Sequence, residues 1–391
     1  MQKKFMRPIV ILLIIQFLVM VGFGIVIPIL PFFVEKLGGG ALSLGVFMSV
    51  YSIMQFIFAP IWGRLSDRIG RRPVLLIGLC GYGVTFIMFG MINNLYLLIG
   101  LRALAGMVSS ATLPTAMAYL ADITEGVDRS KGMGMLGAAM GLGMVFGPAI
   151  GGWLGHYSFS LPFFVAGGVA LLLLPFTWAL LPESLKRPIS DVPGRRRPRL
   201  TLEVLKDPLF ALFAFNFVIS FTMSMFESTF ALFSAAKVGF GPEEMGITFA
   251  ILGISAVIVQ GGLIGPLVKK FGEASLVKSG AVLSSLGLIL IILSGNAVLL
   301  VMSTVVFMMG NSLMTPTSSS LVTKQNSRGQ GASLGFFQSF ASLGRVFGPV
   351  TGGALFEIGM GLPYITGAAF LVLIVLAAGG KISIKSKAPL V

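Results

Sequence analysis

The chain has 391 residues, of which 55% are hydrophobic and 11% charged. A water-soluble domain carries about a quarter charged residues, so most of this surface faces an apolar medium and a soluble globular protein is excluded. The net charge of +14 would suit nucleic acid as a total, but the charges sit in short segments between apolar runs, which argues against a nucleic-acid partner.

A membrane helix needs about 20 apolar residues, and the chain supplies such runs in series. Residues 9–34 and 37–63 carry no charge and predict the first two spans. Segments 73–101 and 103–121, separated only by Arg102, predict the third and fourth. Residues 132–182 form 51 positions without a formal charge, too many for one helix and right for two. Segment 208–236 is interrupted only by Glu227, and 245–268 forms one further span. Segment 279–323 holds two spans. Segment 329–356, interrupted only by Arg345, and segment 358–380 close the set at twelve. The first span is too long, and too little resembles a cleavage site after it, for a removable signal peptide.

Lys and Arg set the orientation. Of the 28, 24 fall before the first span, after the last, or in the even-numbered connections. The odd connections hold Lys36 and Lys237, and Arg102 and Arg345 lie inside spans. Both termini are therefore expected in the cytoplasm, and the basic balance reads as a topology signal aided by anionic lipid heads. Cys80 has no partner for an internal disulfide, and the lone His156 belongs to no metal-ligand cluster. No metal site, catalytic cluster or cofactor is expected.

The Arg- and Pro-rich stretch 182–208 reads as a cytoplasmic linker between a six-helix bundle at 1–181 and a second at 209–391. These halves are related. GMVFGPAIGG at 143–152 recurs as GRVFGPVTGG at 344–353, and LPFFVAG at 161–167 faces LPYITGA at 362–368 with the same offset of 201. Pro114 pairs with Pro316, and Gly63 and Gly70 with Gly265 and Gly272, at an offset of 202. The expected fold is an all-α membrane protein of twelve helices in two pseudo-symmetric bundles. Two similar rigid halves can rock about a central cavity and expose a midplane site to each side in turn. That is a transporter's requirement. A receptor or membrane enzyme would need a soluble sensory domain or a catalytic cluster, and the sequence has neither.

GRLSDRIGRRP at 63–73, placed by the hydropathy in the short loop after the second span, resembles the signature loop of the major facilitator superfamily. Gly63, Leu65, Asp67, Arg68, Gly70, Arg71 and Arg72 all match. In that family the loop acts as a latch holding one conformation. The second-half copy, GPLVKKFGEAS, reads as degraded, keeping the glycines with Lys269 and Lys270. GMVFGPAIGG resembles the antiporter motif of the drug:proton exchangers of that superfamily, through Gly143, Gly147, Pro148, Gly151 and Gly152. Arg102, in LRALAGMVSS, resembles the family's basic motif of the fourth span. A charge there either faces the bundle interior or snorkels to an interface. SMFESTFALF at 224–233 is similar to the bacterial multidrug and tetracycline exporters of the NorA, Bmr and TetA kind.

Among the fourteen acids, Glu227 alone lies well inside a span. A carboxyl group there can load and release a proton or pair with a cationic substrate. The resembled exporters carry a second acid in span ten, where this chain has Asn311. Arg345 stands where they have an uncharged residue, and either pairs with Glu227 or contacts an anionic substrate group. No Walker loop occurs, so ATP is not the evident energy source. The resemblance implies a proton-driven exporter of small amphipathic compounds, cationic ones among the candidates. It further implies a monomer in a bacterial cytoplasmic membrane. A symporter or facilitator for a metabolite such as a sugar is the alternative within transport.

Overall fold

The computed structural model describes residues 3–124, 126–185, 209–324 and 330–382. The part of the expected linker at 186–208, with all of its basic residues, lies outside them. The described residues are almost wholly helical. In chain order they form α1 (Lys3–Lys36), α2 (Ala41–Ile69), α3 (Arg71–Met91), α4 (Leu95–Ser109), α5 (Thr112–Ile123), α6 (Gly126–Tyr157) and α7 (Leu161–Leu180). After the linker come α8 (Phe210–Val238), α9 (Pro242–Ile258), α10 (Ile264–Phe271), α11 (Glu273–Leu293), α12 (Ala297–Lys324), α13 (Gln330–Ile358) and α14 (Leu362–Ile382).

Two of the twelve expected spans are broken rods. Span four runs Leu95–Ile123 but turns at Ser110 and Ala111 between α4 and α5. Pro114, in the first turn of α5, has no N–H to continue the ladder from α4. Span eight runs Pro242–Phe271 and passes through a π-helical turn at Val259–Leu263. Gly261 and Gly262 relax the backbone there, and Pro266 withholds the donor that would close a regular turn. Among the described residues, ten helical stretches are long and apolar enough to cross a membrane, and Leu362–Ala377 is a shorter apolar one. Helix α13 has the length, but Gln338, Arg345 and several serines dilute its hydropathy.

The chain forms two compact units, 1–195 with 240–253 and 196–239 with 254–391. In the first, α6 lies along α1 and α3 packs against α7 and α4. In the second, α13 lies along α8 and α11 against α12 and α14. These contacts repeat the internal sequence offset.

The seam between α1 and α6 shows why the glycines recur every fourth residue. A Cβ on Gly143 would stand 2.5 Å from the Phe17 carbonyl oxygen, one on Gly147 2.5 Å from that of Val21, and one on Gly151 2.7 Å from that of Ile25. Gly24 faces Gly147 and Pro148 from the other side. Gly152 points elsewhere, against Pro242 and Gly246 of α9. The second unit repeats the stripe: Gly344 lies against the Phe217 carbonyl, Gly348 against that of Phe221, and Gly352 against Met225. Small residues at helical spacing let two backbones touch, which is how helices associate in lipid.

This seam makes opposite predictions for two glycines of one helix. Gly147→Ala places a methyl group against backbone that cannot move cheaply and should cost about 1–3 kcal/mol by overpacking. Gly141 faces open space, so Gly141→Ala should gain roughly 0.5–1 kcal/mol of helix stability. Thermal denaturation of the two purified variants against wild type checks both signs.

Candidate transport site and latch

The signature segment folds as helix–glycine–helix rather than as the expected loop. Gly63 to Ile69 are the last turns of α2, Gly70 alone is non-helical, and Arg71 opens α3. Gly70 has φ +107°, a conformation that side chains rarely adopt, and a Cβ there would also collide with Glu183. A Cβ on Gly63 would meet nothing within 4 Å, so no close helix approach depends on that glycine.

Arg71 is the hub. It is 4% exposed, and its guanidinium reaches Asp67 Oδ1 at 2.6 Å and Asp122 Oδ2 at 3.1 Å. It also donates to Ser66 Oγ at 2.6 Å. The start of α3 poses a problem, because its first turn carries two arginines where the helix end already bears positive partial charge. Glu183 answers it from 111 residues away. Its Oε1 accepts the Arg71 backbone N–H at 2.9 Å and its Oε2 that of Arg72 at 3.1 Å. Ser184 Oγ donates to Asp122 and Tyr119 Oη to the Pro182 carbonyl, tying the chain after α7 to α5. The Arg72 guanidinium lies over the Trp178 ring, 5.5 Å from its centroid, and donates to the Trp178 carbonyl. Arg68 sits one residue from Asp67 on the same last turn of α2.

Arg102 does not snorkel. It is 2% exposed and stacks over Tyr51 at 4.1 Å and Phe47 at 4.9 Å from their ring centroids. Tyr51 Oη accepts from Ser109 Oγ at 2.9 Å and from Gln55 Nε2 at 3.1 Å. The cation is thus held by aromatic faces instead of an acid. Its Nε, and the nearby Tyr82 hydroxyl, have no hydrogen-bond partner among the described residues. Tyr82 stacks on Phe86 at 4.2 Å, with its hydroxyl wedged against Gly22 of α1.

Glu227, Asn311 and Arg345 all belong to the second unit. Glu227 is half-buried in α8 among phenylalanines: Phe226 and Phe230 stack at 4.7 Å, and Phe226 meets Phe307 of α12 at 4.8 Å. No donor reaches the Glu227 carboxyl group among the described residues. Arg345 is near enough for its charge to act on Glu227, but the two form no contact ion pair. Instead Arg345 Nη2 donates to Ser342 Oγ at 3.0 Å on its own helix. Asn311, one turn beyond Phe307, makes no hydrogen bond to Glu227; its carbonyl accepts from Thr315. His156 faces solvent, 3.3 Å from Glu243.

Sequence reading missed Glu183, Tyr51 and Tyr82. Glu183 stands where the linker begins and looks like any loop acid, and the tyrosines carry no charge to mark them as partners of Arg102.

Two repeated units of membrane-crossing helices, with ionisable groups placed inside spans, define a secondary transporter. The chain belongs to the Major Facilitator Superfamily, whose model matches residues 12–349 and again 261–385. It is 32% identical over 374 residues to Multidrug resistance protein 1 of Bacillus subtilis, covering 95% of this chain and 94% of that one. It is 27% identical to the quinolone resistance protein NorA of Staphylococcus aureus, covering 89% of each. The crystal structure of the nucleoside transporter NupG superposes with a TM-score of 0.78 at 16% identity, over 97% of this chain and all of that one. That likeness bears on the fold.

Removing the remote cap should be felt at the start of α3. Glu183→Ala leaves two backbone donors without acceptors and should cost about 0.5–2 kcal/mol, as lost helix caps do. Glu183→Gln, which still accepts through its amide oxygen, should cost less. Hydrogen exchange at residues 71–74 should quicken in that order.

Proposed function

We propose that this chain exports small amphipathic, drug-like compounds across the bacterial cytoplasmic membrane in exchange for protons, by alternating access. The observation that carries the reading is Glu227: a carboxyl group inside a span, without a hydrogen-bonded or ion-paired partner among the described residues. An acid so placed can hold either a proton or a cationic substrate, and exchanging one for the other couples the two fluxes. The kinship with proteins named for multidrug and quinolone resistance supports the direction of transport and the breadth of substrate. Aromatic walls suit varied flat ligands, and methionines adapt to their shapes. No cofactor is required, because the proton gradient supplies the energy, and no reaction is catalysed. The working unit is a monomer.

Arg345 sets the field around this chemistry, and Arg102 places a buried cation inside a span of the first unit. Arg345 tempers the charge of Glu227 without neutralising it by contact. With Asn311 in span ten, Glu227 is the acid that lies away from the span ends among the described residues of the second unit. The latch of Asp67, Arg68, Arg71 and Arg72, turned at Gly70, holds one state of the cycle. The glycine seam of the antiporter motif keeps α6 in place while the protein moves.

The decisive experiment is substrate-driven proton release from proteoliposomes. Glu227→Gln keeps size and hydrogen bonding but cannot release a proton, so it should abolish or sharply reduce coupled export while some binding of neutral substrate survives. Undiminished proton movement would assign the coupling to another acid. Orientation has its own test. In a Cys80→Ala background, which removes the one native thiol, Arg196→Cys should resist impermeant maleimide in intact cells and react after permeabilisation.

A further inference from the structure

The second unit carries, at the positions repeating Arg71 and Asp122, an ion pair of the opposite polarity. Adding the offset of 202 turns Asp67 into Lys269, Arg71 into Glu273 and Asp122 into Lys324. Every sign is reversed. The geometry is kept: Arg71 Nε to Asp122 Oδ2 is 3.1 Å, and Lys324 Nζ to Glu273 Oε1 is 2.8 Å. In each unit the ion opening the third span is nearly buried, at 5% and 10% side-chain exposure, and its partner on the fourth is the more exposed of the two. The preceding glycine has positive φ in both, +107° at Gly70 and +76° at Gly272. Ser320 Oγ adds a hydrogen bond to Glu273.

We infer that Glu273 and Lys324 form a second clasp, the sign-inverted counterpart of the Arg71–Asp122 pair, and that it positions α11 on α12 so that the second half moves as one body during export. The inference rests on the transport reading above. Its ground is the joint exchange at two positions 51 residues apart. A lone acid in the first turn of a helix is explained by the helix dipole. That does not account for a lysine on the next span at the position where the first unit has an aspartate. When both members change sign together and the contact survives, the contact is what the fold retains.

The clasp also sits where it has leverage. Above it α11 and α12 touch through backbone: a Cβ on Gly280 would stand 2.8 Å from the Gly310 carbonyl oxygen, and one on Gly287 2.4 Å from the Phe307 nitrogen. Such a seam resists separation but says little against axial slip. An ion pair at its end fixes the register, as Arg71 does for α3 and α5 in the first unit.

The test combines charge reversals with neutral and conservative changes. Glu273→Lys and Lys324→Glu each create a like-charge contact and should lower the maximal rate of export several-fold with KM for the drug unchanged, since neither residue touches substrate. The double reversal should transport better than either single variant, although a cation at the start of α11 keeps it below wild type. Glu273→Asp should stay near wild type, and Glu273→Gln should fall. Hydrogen exchange at 273–276, measured in the same purified proteins, should rise in the single reversals and recede in the double. Exchange reads the clasp whether or not the protein exports: if wild type fails to transport while exchange follows this order, the transport reading fails and the clasp stands. Single reversals with wild-type rate and exchange would overturn the clasp, as would a double reversal no better than Glu273→Lys. Should the reversals fail to insert, equal rates for Glu273→Asp and Glu273→Gln would overturn it.

Discussion

In lipid, two helices gain little by hiding apolar side chains from the surroundings, because acyl chains are as apolar as leucine. Close contact has to come from backbone meeting backbone, and this protein arranges it at two equivalent seams. Gly143, Gly147 and Gly151 lay α6 on the carbonyls of α1, and Gly344 and Gly348 lay α13 on those of α8, with Gly352 against Met225. Remove the space at these positions and a Cβ would overlap backbone at about the distance of a covalent second neighbour. The remaining packing within each unit is arranged around a first and fifth span already joined.

Charge is sparse enough that each buried ion has an identifiable counterweight, and the counterweights differ in kind. Arg71 is answered by two carboxylates and a hydroxyl. Arg102 is answered by the faces of Tyr51 and Phe47. Arg345 is answered by a serine on its own helix and by a glutamate near but not touching it. These environments differ in how readily they change. A carboxylate cluster at a helix start is a fixed structural tie. An aromatic sandwich holds a cation without quenching its charge. An acid beside an untouching cation can exchange its own occupant, which is the ground for proposing Glu227 as the coupling group and Arg71 as the holding one.

The sequence made much of this legible because the internal repeat works as a ruler. The stripe at 143, 147 and 151 and its copy at 344, 348 and 352 are visible as a repeat in the sequence, although the helices they pack against are not, and an acid isolated in an apolar run announces itself. What stayed hidden has physical causes. Glu183 contacts Arg71 and Arg72 across 112 and 111 residues, and no periodicity links a residue after the sixth span to the helix end that opens the third. Tyr51 gives no sign that its ring will carry Arg102. The signature segment looks like a loop because its charges interrupt the hydropathy, whereas the helix ladder continues through Ile69 and breaks only at Gly70.

The second-half copy of that segment shows a subtler limit. Judged by residue identity, GPLVKKFGEAS has decayed. Judged by interaction, it has kept its turn glycine and its tie between the third and fourth spans, with both signs of that tie exchanged. A duplicated protein can drift through such a state because an ion pair is indifferent to which side carries which charge, provided both change. The helix end is not indifferent: an acid at the start of α11 suits the dipole, so Glu273 can serve as anion at the helix start and as partner of Lys324. Arg71 cannot, and the first half needs Glu183 brought in from beyond the sixth span. The two halves therefore solve one mechanical problem with different numbers of parts. The first half, having the costlier arrangement, has its tie anchored to the stretch entering the linker.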